Sequence, residues 1–377
     1  MNLQNKKLII LADENMPQVE EYFQHLGEVR RLPGRSIKAE DVTDVDILLV
    51  RSVTRVDAKL LEGSPVSFVG TATIGTDHLD IEYLEKKGVK WSAAPGCNAR
   101  SVAEYVAGSV ACLQLSGKLE AKGKIGIIAN GNVGSKVAEV LEILGYELLI
   151  YDPPKEERDE AFKSCQLKEL LDCSMICVHA PLTKSGPYPS HKMLGVDFLK
   201  RLKKGTVLLS AGRGAVLDFS VLKDIPGHLI ECLDVWDPEP EVPLDILRRS
   251  YIATPHIAGY SFESKWRGTH MISEQAYQML NLPAPNPKPS PPSRHQFDMA
   301  GQSMSWQELV LTLYNPINDT ELSKTSLLNS PSNKIGKTFD SLRKNYQMRH
   351  EFSFCKVNNI KLSKEDFSIC QNLGIEI

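Results

Sequence analysis

The chain has 377 residues, is 42% hydrophobic and carries a formal net charge of −3, which allows a substantial core and two domains, or three. No block of Lys and Arg is dense enough to mark a nucleic-acid or anionic membrane surface, so neither partner is expected and a small molecule fits better. Eight cysteines without a C-x-x-C pair read as reduced, structural thiols and point to a cytoplasmic setting.

Near the amino end, Lys6 and Lys7 precede the apolar run Leu8 to Ala12. Asp13 and Glu14 end it short of an export signal, so it is predicted as a strand. No uninterrupted apolar stretch reaches the ~18 residues that a membrane span needs. Further short runs at Ile47 to Val50, Phe68 to Gly70 and Val89 to Trp91 give the rhythm of a parallel sheet built from strands and crossover helices. Val102, Val106, Val110 and Leu113 then fall on one helical face, with Asn98 as the start signal of a long connecting helix.

The strand rhythm restarts at Ile125 to Ala129, Leu148 to Tyr151, Met175 to Val178, Val207 to Leu209, Leu229 to Leu233 and Tyr251 to Ala253, a second doubly wound unit of about six strands. Its first turn, Ala129-Asn130-Gly131-Asn132-Val133-Gly134, leads into a helix with an inward stripe of Val137, Val140, Leu141 and Leu144. A strand, a glycine turn and a helix amino end make a pyrophosphate cradle. The usual fingerprint begins with glycine, and here Ala129 holds that place, so the turn is made with a methyl group present. The next strand delivers Asp152 to the adenosine ribose hydroxyls. A carboxylate there repels a 2′-phosphate, and Pro153 and Pro154 follow rather than an arginine, which favours NAD over NADP.

Ligands of doubly wound sheets bind beyond the carboxyl ends of the strands. Those ends lead into His179-Ala180-Pro181, Ser210-Ala211-Gly212-Arg213-Gly214, Asp234-Val235-Trp236 and Thr254-Pro255-His256-Ile257-Ala258-Gly259-Tyr260. Residues 261 to 280 again look helical, and Pro283, Pro285, Pro287, Pro289, Pro291 and Pro292 then stiffen a linker. The tail beyond it carries Phe339, Leu342, Tyr346, Phe352 and Phe354, matter for a small module but short of an independent core. It is expected to dock on a partner subunit in a homodimer.

Over roughly the first 280 residues these segments resemble the D-isomer-specific 2-hydroxyacid dehydrogenase family, whose catalytic Arg, Glu and His lie in motifs matching Arg213-Gly214, Glu239-Pro240 and Pro255-His256. Asp13 to Pro17, Val50 to Thr54, Phe68 to Thr73, Ala94 to Asn98 and His256 to Tyr260 are similar to a branch of it acting on a phosphorylated 2-hydroxy acid. The resemblance implies an α/β protein with two doubly wound parallel-sheet lobes. These are a flavodoxin-like substrate lobe (1–97 with 258–281) and a Rossmann NAD lobe (98–257), followed by the Pro-rich linker (282–293) and a small α+β C-terminal dimerisation module (294–377). It also implies that Asp234 bonds the nicotinamide carboxamide, that Ala180, Ala211 and Gly259 lie beside the cofactor, and that Ser52, Thr73 and Tyr260 touch substrate. Arg51 is the candidate for the phosphate from its charge alone. Ala180 stands where near relatives carry threonine, and Ser210 and Gly212 alter the residues before Arg213.

The chemistry can be argued beside the resemblance. Oxidising a 2-hydroxy acid needs a base for the hydroxyl proton, a cation for the carboxylate and a nicotinamide facing the carbon hydrogen. Imidazole titrates near neutrality, which suits His256, and Glu239 beside it would favour the imidazolium. Arg213 can clamp a carboxylate through two parallel hydrogen bonds, which lysine does less well. His179 is read as a loop or backbone-bonding histidine, and Arg343 and Arg349 as a solvated helix face, with reach to a partner's substrate phosphate as the alternative. His78, His191, His270 and His350 lack ligand-like spacing, so no metal is expected. The competing readings are another acid of the same family, such as 3-phosphoglycerate or glycerate, and an NAD-sensing regulator without turnover.

Overall fold

A computed structural model describes residues 6–377; residues 1–5 of the expected substrate lobe lie outside the described residues. Two compact units form. The first runs to Asn98 and returns with Ser261–Ser293, and the second takes Ala99–Tyr260 and Arg294–Ile377.

The first unit is a five-stranded parallel sheet of β1 (Leu8–Asp13), β2 (Gly27–Leu32), β3 (Ile47–Val50), β4 (Phe68–Thr71) and β5 (Lys90–Ser92), in the order β2-β1-β3-β4-β5. That is the flavodoxin-like order. β1 and β3 to β5 fall on the predicted apolar runs, whereas β2 carries Glu28, Arg30 and Arg31. It is an edge strand, and edges are protected by such charges, so hydrophobicity does not announce it. Helix Phe262–Leu280 belongs to this unit, its start capped by the Ser261 hydroxyl, which accepts from the Ser264 amide at 2.9 Å. Its Ile272 packs with Ile47, Leu49 and Phe68.

The second unit holds β6 (Lys124–Ile128), β7 (Glu147–Tyr151), β8 (Met175–Val178), β9 (Val207–Ser210), β10 (Ile230–Leu233) and β11 (Ile252–Ala253), all parallel, in the order β11-β10-β9-β8-β6-β7. The strand order reverses beside β6, where Ile125 pairs Leu148 of β7 on one side and Met175 of β8 on the other. Both faces are covered, Ile125 and Ile127 facing one cluster and Ile128, Ile176 and Val178 the other, which is why these strands read as unbroken apolar runs. The connecting helix spans Ala99–Leu115 and is buried on nearly every face, packed against helices Asn132–Ile143 and Trp306–Leu313.

Two boundaries differ from expectation. The chain leaves the second unit after Tyr260 rather than at 258, because the Asp234 carboxylate holds the Ile257 and Ala258 amides. The tail, 294–377, carries a small sheet of its own and falls within the same compact unit as 99–260. Trp306, Leu309, Phe352 and Leu373 join one cluster of the second unit, and Leu327, Ile335 and Phe339 the other. Helix Pro316–Leu328 covers edge strand β11, and its Thr320 hydroxyl accepts from the Ala253 amide at 3.0 Å. A tail too poor in apolar residues for its own core gains one by sharing. Its remaining sheet is the parallel pair β12 (His295–Asp298) and β13 (Cys355–Asn358). The Pro-rich stretch lies with the first unit, and the Pro283 carbonyl meets the His25 ring at 2.8 Å.

Candidate active site

The turn after β6 is built as the glycine pattern implied, with one strained residue. Ala129 has φ +71°, a left-handed conformation that costs an alanine about 1–2 kcal/mol. It is held by its amide, which donates to the Tyr151 carbonyl at 2.9 Å, and by the Asn130 amide, which donates to Asp152 Oδ2 at 2.7 Å. The other oxygen, Oδ1, accepts from the Lys155 amide at 2.9 Å and caps helix Pro153–Arg158. Asp152 therefore ties the turn to the end of β7 as well as standing where a ribose is expected.

Helix Asn132–Ile143 follows, and Gly131 in front of it offers no side-chain cap. Its first amides are left for an anion. A Cβ built on Gly131 would meet nothing within 4 Å, whereas one on Gly134 would overlap the Ala129 carbonyl oxygen and lie 2.9 Å from its carbon. Gly131 borders open space, and Gly134 lets the helix pack on the turn. Val133 is partly buried against the core.

Three adjacent strand ends carry unsatisfied polar atoms. Asn130 Oδ1 after β6, both ring nitrogens of His179 after β8 and Ser210 Oγ at the end of β9 are buried without a hydrogen-bond partner among the described residues. Each such group costs about 1–3 kcal/mol if it stays unpaired, and ribose hydroxyls and a pyrophosphate would satisfy groups of this kind. Together with the open cradle at Gly131, they fit a dinucleotide. His179 lies in the loop after β8, one of the two alternatives read from the sequence; its ring bonds no backbone among the described residues, and burial holds it neutral, with a pKa lowered to about 4. Ala180 beside it is buried, and the Ala211 amide donates to the Val178 carbonyl at 3.1 Å.

Glycines bring Arg213 into this loop cluster. A Cβ on Gly212 would sit 2.9 Å from the Ala180 carbonyl oxygen, and one on Gly214 would overlap the Trp236 carbonyl. Arg213 thus rides on a loop pressed between those after β8 and β10, and its Nη1 donates to the Gly212 carbonyl at 3.1 Å.

Glu239 and His256 meet directly, with Nδ1 of His256 at 2.9 Å from Oε2 of Glu239. The Trp236 amide donates to the other oxygen, Oε1, at 2.8 Å. Burial opposes ionisation of Glu239, but the His256 ring, the Trp236 amide and the Arg343 charge together carry its pKa below the usual range. An ionised Glu239 makes Nδ1 the protonated nitrogen and leaves Nε2 with a lone pair for a substrate proton. The His256 backbone is left-handed at φ +57°. Its amide donates to the Asp234 carbonyl at 2.8 Å, fixing the strained turn.

Asp234 is buried and builds this loop. Oδ1 accepts from the Thr254 hydroxyl at 2.7 Å and the Ile257 amide at 2.8 Å, and Oδ2 from the Ala258 amide at 3.0 Å. Tyr105 of the connecting helix meets the Thr254 hydroxyl at 2.9 Å behind it. Gly259 and Tyr260 complete the loop, and the tail fastens it. Arg349 is 7% exposed and donates to the carbonyls of Ser101, Ala258 and Tyr260, while Arg343 Nη2 donates to the Tyr260 hydroxyl at 3.2 Å. The solvated helix face expected for these arginines is not found, because they serve as interior donors for a loop that has no strand of its own. Glu104, which accepts from Arg100 Nε at 2.8 Å, and Glu351, which accepts from the Ser101 hydroxyl at 2.7 Å, are buried nearby. Sequence reading missed both; a glutamate beside the apolar stripe of the 99–115 helix was the available signal.

In the first unit, Thr71 Oγ1 meets Thr73 Oγ1 at 2.8 Å and His78 Nε2 at 2.9 Å, and the Thr73 hydroxyl reaches the Gly75 carbonyl at 3.0 Å. Ser52 is exposed and Arg51 half-buried, both just beyond β3.

Known proteins resemble this chain in sequence and fold. The chain is 42% identical over 355 residues to "Erythronate-4-phosphate dehydrogenase" of Cellvibrio japonicus, covering 91% of this chain and 93% of that protein. It is 39% identical over 366 residues to the protein of that name in Marinobacter nauticus, covering 93% and 94%. Among solved structures, NAD+-bound 3-phosphoglycerate dehydrogenase of Entamoeba histolytica shares the fold with a TM-score of 0.60 at 23% identity, over 73% of this chain and 96% of that one. Residues 9–302 match the family description "D-isomer specific 2-hydroxyacid dehydrogenase, catalytic domain", and with relatives this similar along nearly its whole length the chain belongs to that family.

Proposed function

We propose that this chain oxidises 4-phospho-D-erythronate to 2-oxo-3-hydroxy-4-phosphobutanoate with NAD, a step that the resemblance places in pyridoxal 5′-phosphate biosynthesis. The observation that carries the reading is the contact of Glu239 Oε2 with His256 Nδ1 at 2.9 Å, one strand end from the loop of Arg213, beside a turn shaped for a dinucleotide. His256 Nε2 takes the proton of the substrate's C2 hydroxyl, and Glu239 stabilises the imidazolium that forms. Arg213 clamps the carboxylate and polarises the carbonyl as it develops at C2. NAD, when bound, supplies the acceptor for the hydride that leaves C2.

Asn130, Gly131, Asn132, Val133 and Gly134 hold the pyrophosphate, and Asp152 the adenosine ribose. Ala180, Ala211, Asp234 and Gly259 lie along the rest of the cofactor. Arg51, Ser52, Thr73 and Tyr260 are substrate contacts, Arg51 toward the phosphate. The protein acts in the cytoplasm as a homodimer. No helix of the described residues is long and apolar enough to cross a membrane.

Absorbance in the reduced-nicotinamide band, followed after 4-phospho-D-erythronate and NAD are added to the purified protein, tests substrate, cofactor and chemistry together. A higher kcat/KM for 3-phosphoglycerate or glycerate would overturn the substrate, and binding of NAD without turnover of any 2-hydroxy acid would overturn the enzyme reading.

A further inference from the structure

Helix Ile335–Lys344 of the tail lies against the loop that carries Glu239. A Cβ on Gly336 would be 3.0 Å from Pro240 Cγ and would overlap the Glu241 carboxylate, so the helix begins in direct contact with the Glu239-Pro240-Glu241 segment. Phe339, one turn on, is 1% exposed in the core of the second unit and fixes its position. The last turn carries Arg343 to Tyr260. Its guanidinium carbon is 5.9 Å from both the Tyr260 and Phe339 ring centres, and Nη2 donates to the Tyr260 hydroxyl at 3.2 Å. The helix therefore touches both loops of the Glu239–His256 pair.

Arg343 Nε is buried and has no hydrogen-bond partner among the described residues. A guanidinium has five donors in a planar fork and is satisfied best by an anion with several oxygens. The charge is close enough to Glu239 to help hold that carboxyl ionised, but Glu239 gives its oxygens to His256 and Trp236. A phosphorylated acid adds about two negative charges beyond its carboxylate, and Arg213 matches only the carboxylate.

We propose that Arg343, supplied by the tail of the same chain, binds the phosphate of the substrate and thereby selects phosphorylated over unphosphorylated 2-hydroxy acids. This rests on the function proposed above. It gives the tail a part in specificity beyond packing: the segment that completes the core of the second unit also brings a cation to the catalytic loops.

The test compares wild type with Arg343→Ala, Arg343→Gln and Arg343→Lys on two substrates, 4-phospho-D-erythronate and D-erythronate, with NADH titration and melting temperature as folding checks. Arg343→Ala is expected to lower the ratio of kcat/KM for the phosphorylated over the unphosphorylated acid by at least about tenfold, chiefly through KM. Arg343→Lys restores part of it, since lysine keeps the charge and loses the fork. If Arg343→Ala does not fold, Arg343→Lys and Arg343→Gln are read in its place. Equal losses on both acids, or no loss on either, would overturn the proposal.

A second arm uses inorganic phosphate. Compared with chloride at equal ionic strength, it should raise the melting temperature of wild type, and the gain should shrink in Arg343→Ala. A gain that survives the substitution in full rejects Arg343 as the phosphate ligand. Wild type that is protected by phosphate through Arg343 yet does not oxidise 4-phospho-D-erythronate would refute the proposed substrate and leave the anion site standing.

Discussion

Replacing Gly131 by alanine should move stability and cofactor affinity in opposite directions. Gly131 has φ −78° and ψ −154°, a conformation open to alanine, and its added methyl would meet nothing within 4 Å. Losing glycine's freedom in the unfolded chain should then stabilise the cofactor-free protein by about 0.4–1 kcal/mol, a rise in melting temperature of roughly 1–4 °C. The same methyl projects into the space where the backbone must approach a pyrophosphate, so NADH should bind at least about tenfold more weakly, a loss of about 1.4 kcal/mol. Gly134→Ala provides the contrast. Its methyl lands on the Ala129 carbonyl, with the carbon at 2.9 Å, and the helix must retreat from the turn, which costs about 1–3 kcal/mol. Fluorescence titration with NADH and thermal melts without cofactor separate the two effects. If Gly131→Ala bound NADH as wild type does, the turn after β6 would not be the pyrophosphate cradle, and the cofactor assignment around it would fall.

Ala129→Gly removes the left-handed strain at φ +71°, about 1–2 kcal/mol, against about 0.4–1 kcal/mol of added freedom in the unfolded chain. Urea denaturation should show a small net gain, and a marked loss would contradict the strain. His256→Gln should lower kcat by about 10²–10⁴-fold with NADH affinity retained, the range for one general base, and wild-type turnover in this variant would exclude His256 as the base. His179 is held neutral in the folded protein with a pKa lowered to about 4 by burial, from an ordinary 6.5. Above pH 6.5 neither state is protonated there; as pH falls toward 4 the unfolded chain binds the proton first, so stability drops across that window. His179→Leu should flatten the decline between pH 6.5 and 5 in urea melts and raise stability at pH 7 by removing two unpaired nitrogens, and an unchanged slope would show that another group is responsible.

Most strands and the candidate catalytic motifs were legible because each is written locally. A parallel strand covered on both faces must be apolar throughout, so β6 to β11 stand out in the sequence, and the groups that follow them sit at strand ends by the topology of the fold. The edge strand β2 was hidden because its stability comes from pairing with β1 while its side chains stay polar. His179 was placed in a loop, but its lack of a partner was not legible, because nothing in a sequence tells whether a histidine after a strand finds one. Gly212 was visible only as a departure from a pattern and Gly214 as part of the Arg213 motif, and the backbone contacts they permit lie between loops far apart in the chain.

Local order along the chain thus determined the alternation of strands and helices, the turn after β6 and the candidacy of Arg213, Glu239 and His256, since periodicity and turn chemistry act between near neighbours. Tertiary packing alone decided where the tail belongs. Its helices had too little apolar surface to stand apart, and the second unit offered an uncovered edge at β11 and a loop, 256–260, short of hydrogen-bond partners. Burying Arg349 and directing Arg343 toward Tyr260 follow from that docking, because a charge leaves water only where a preformed set of acceptors receives it.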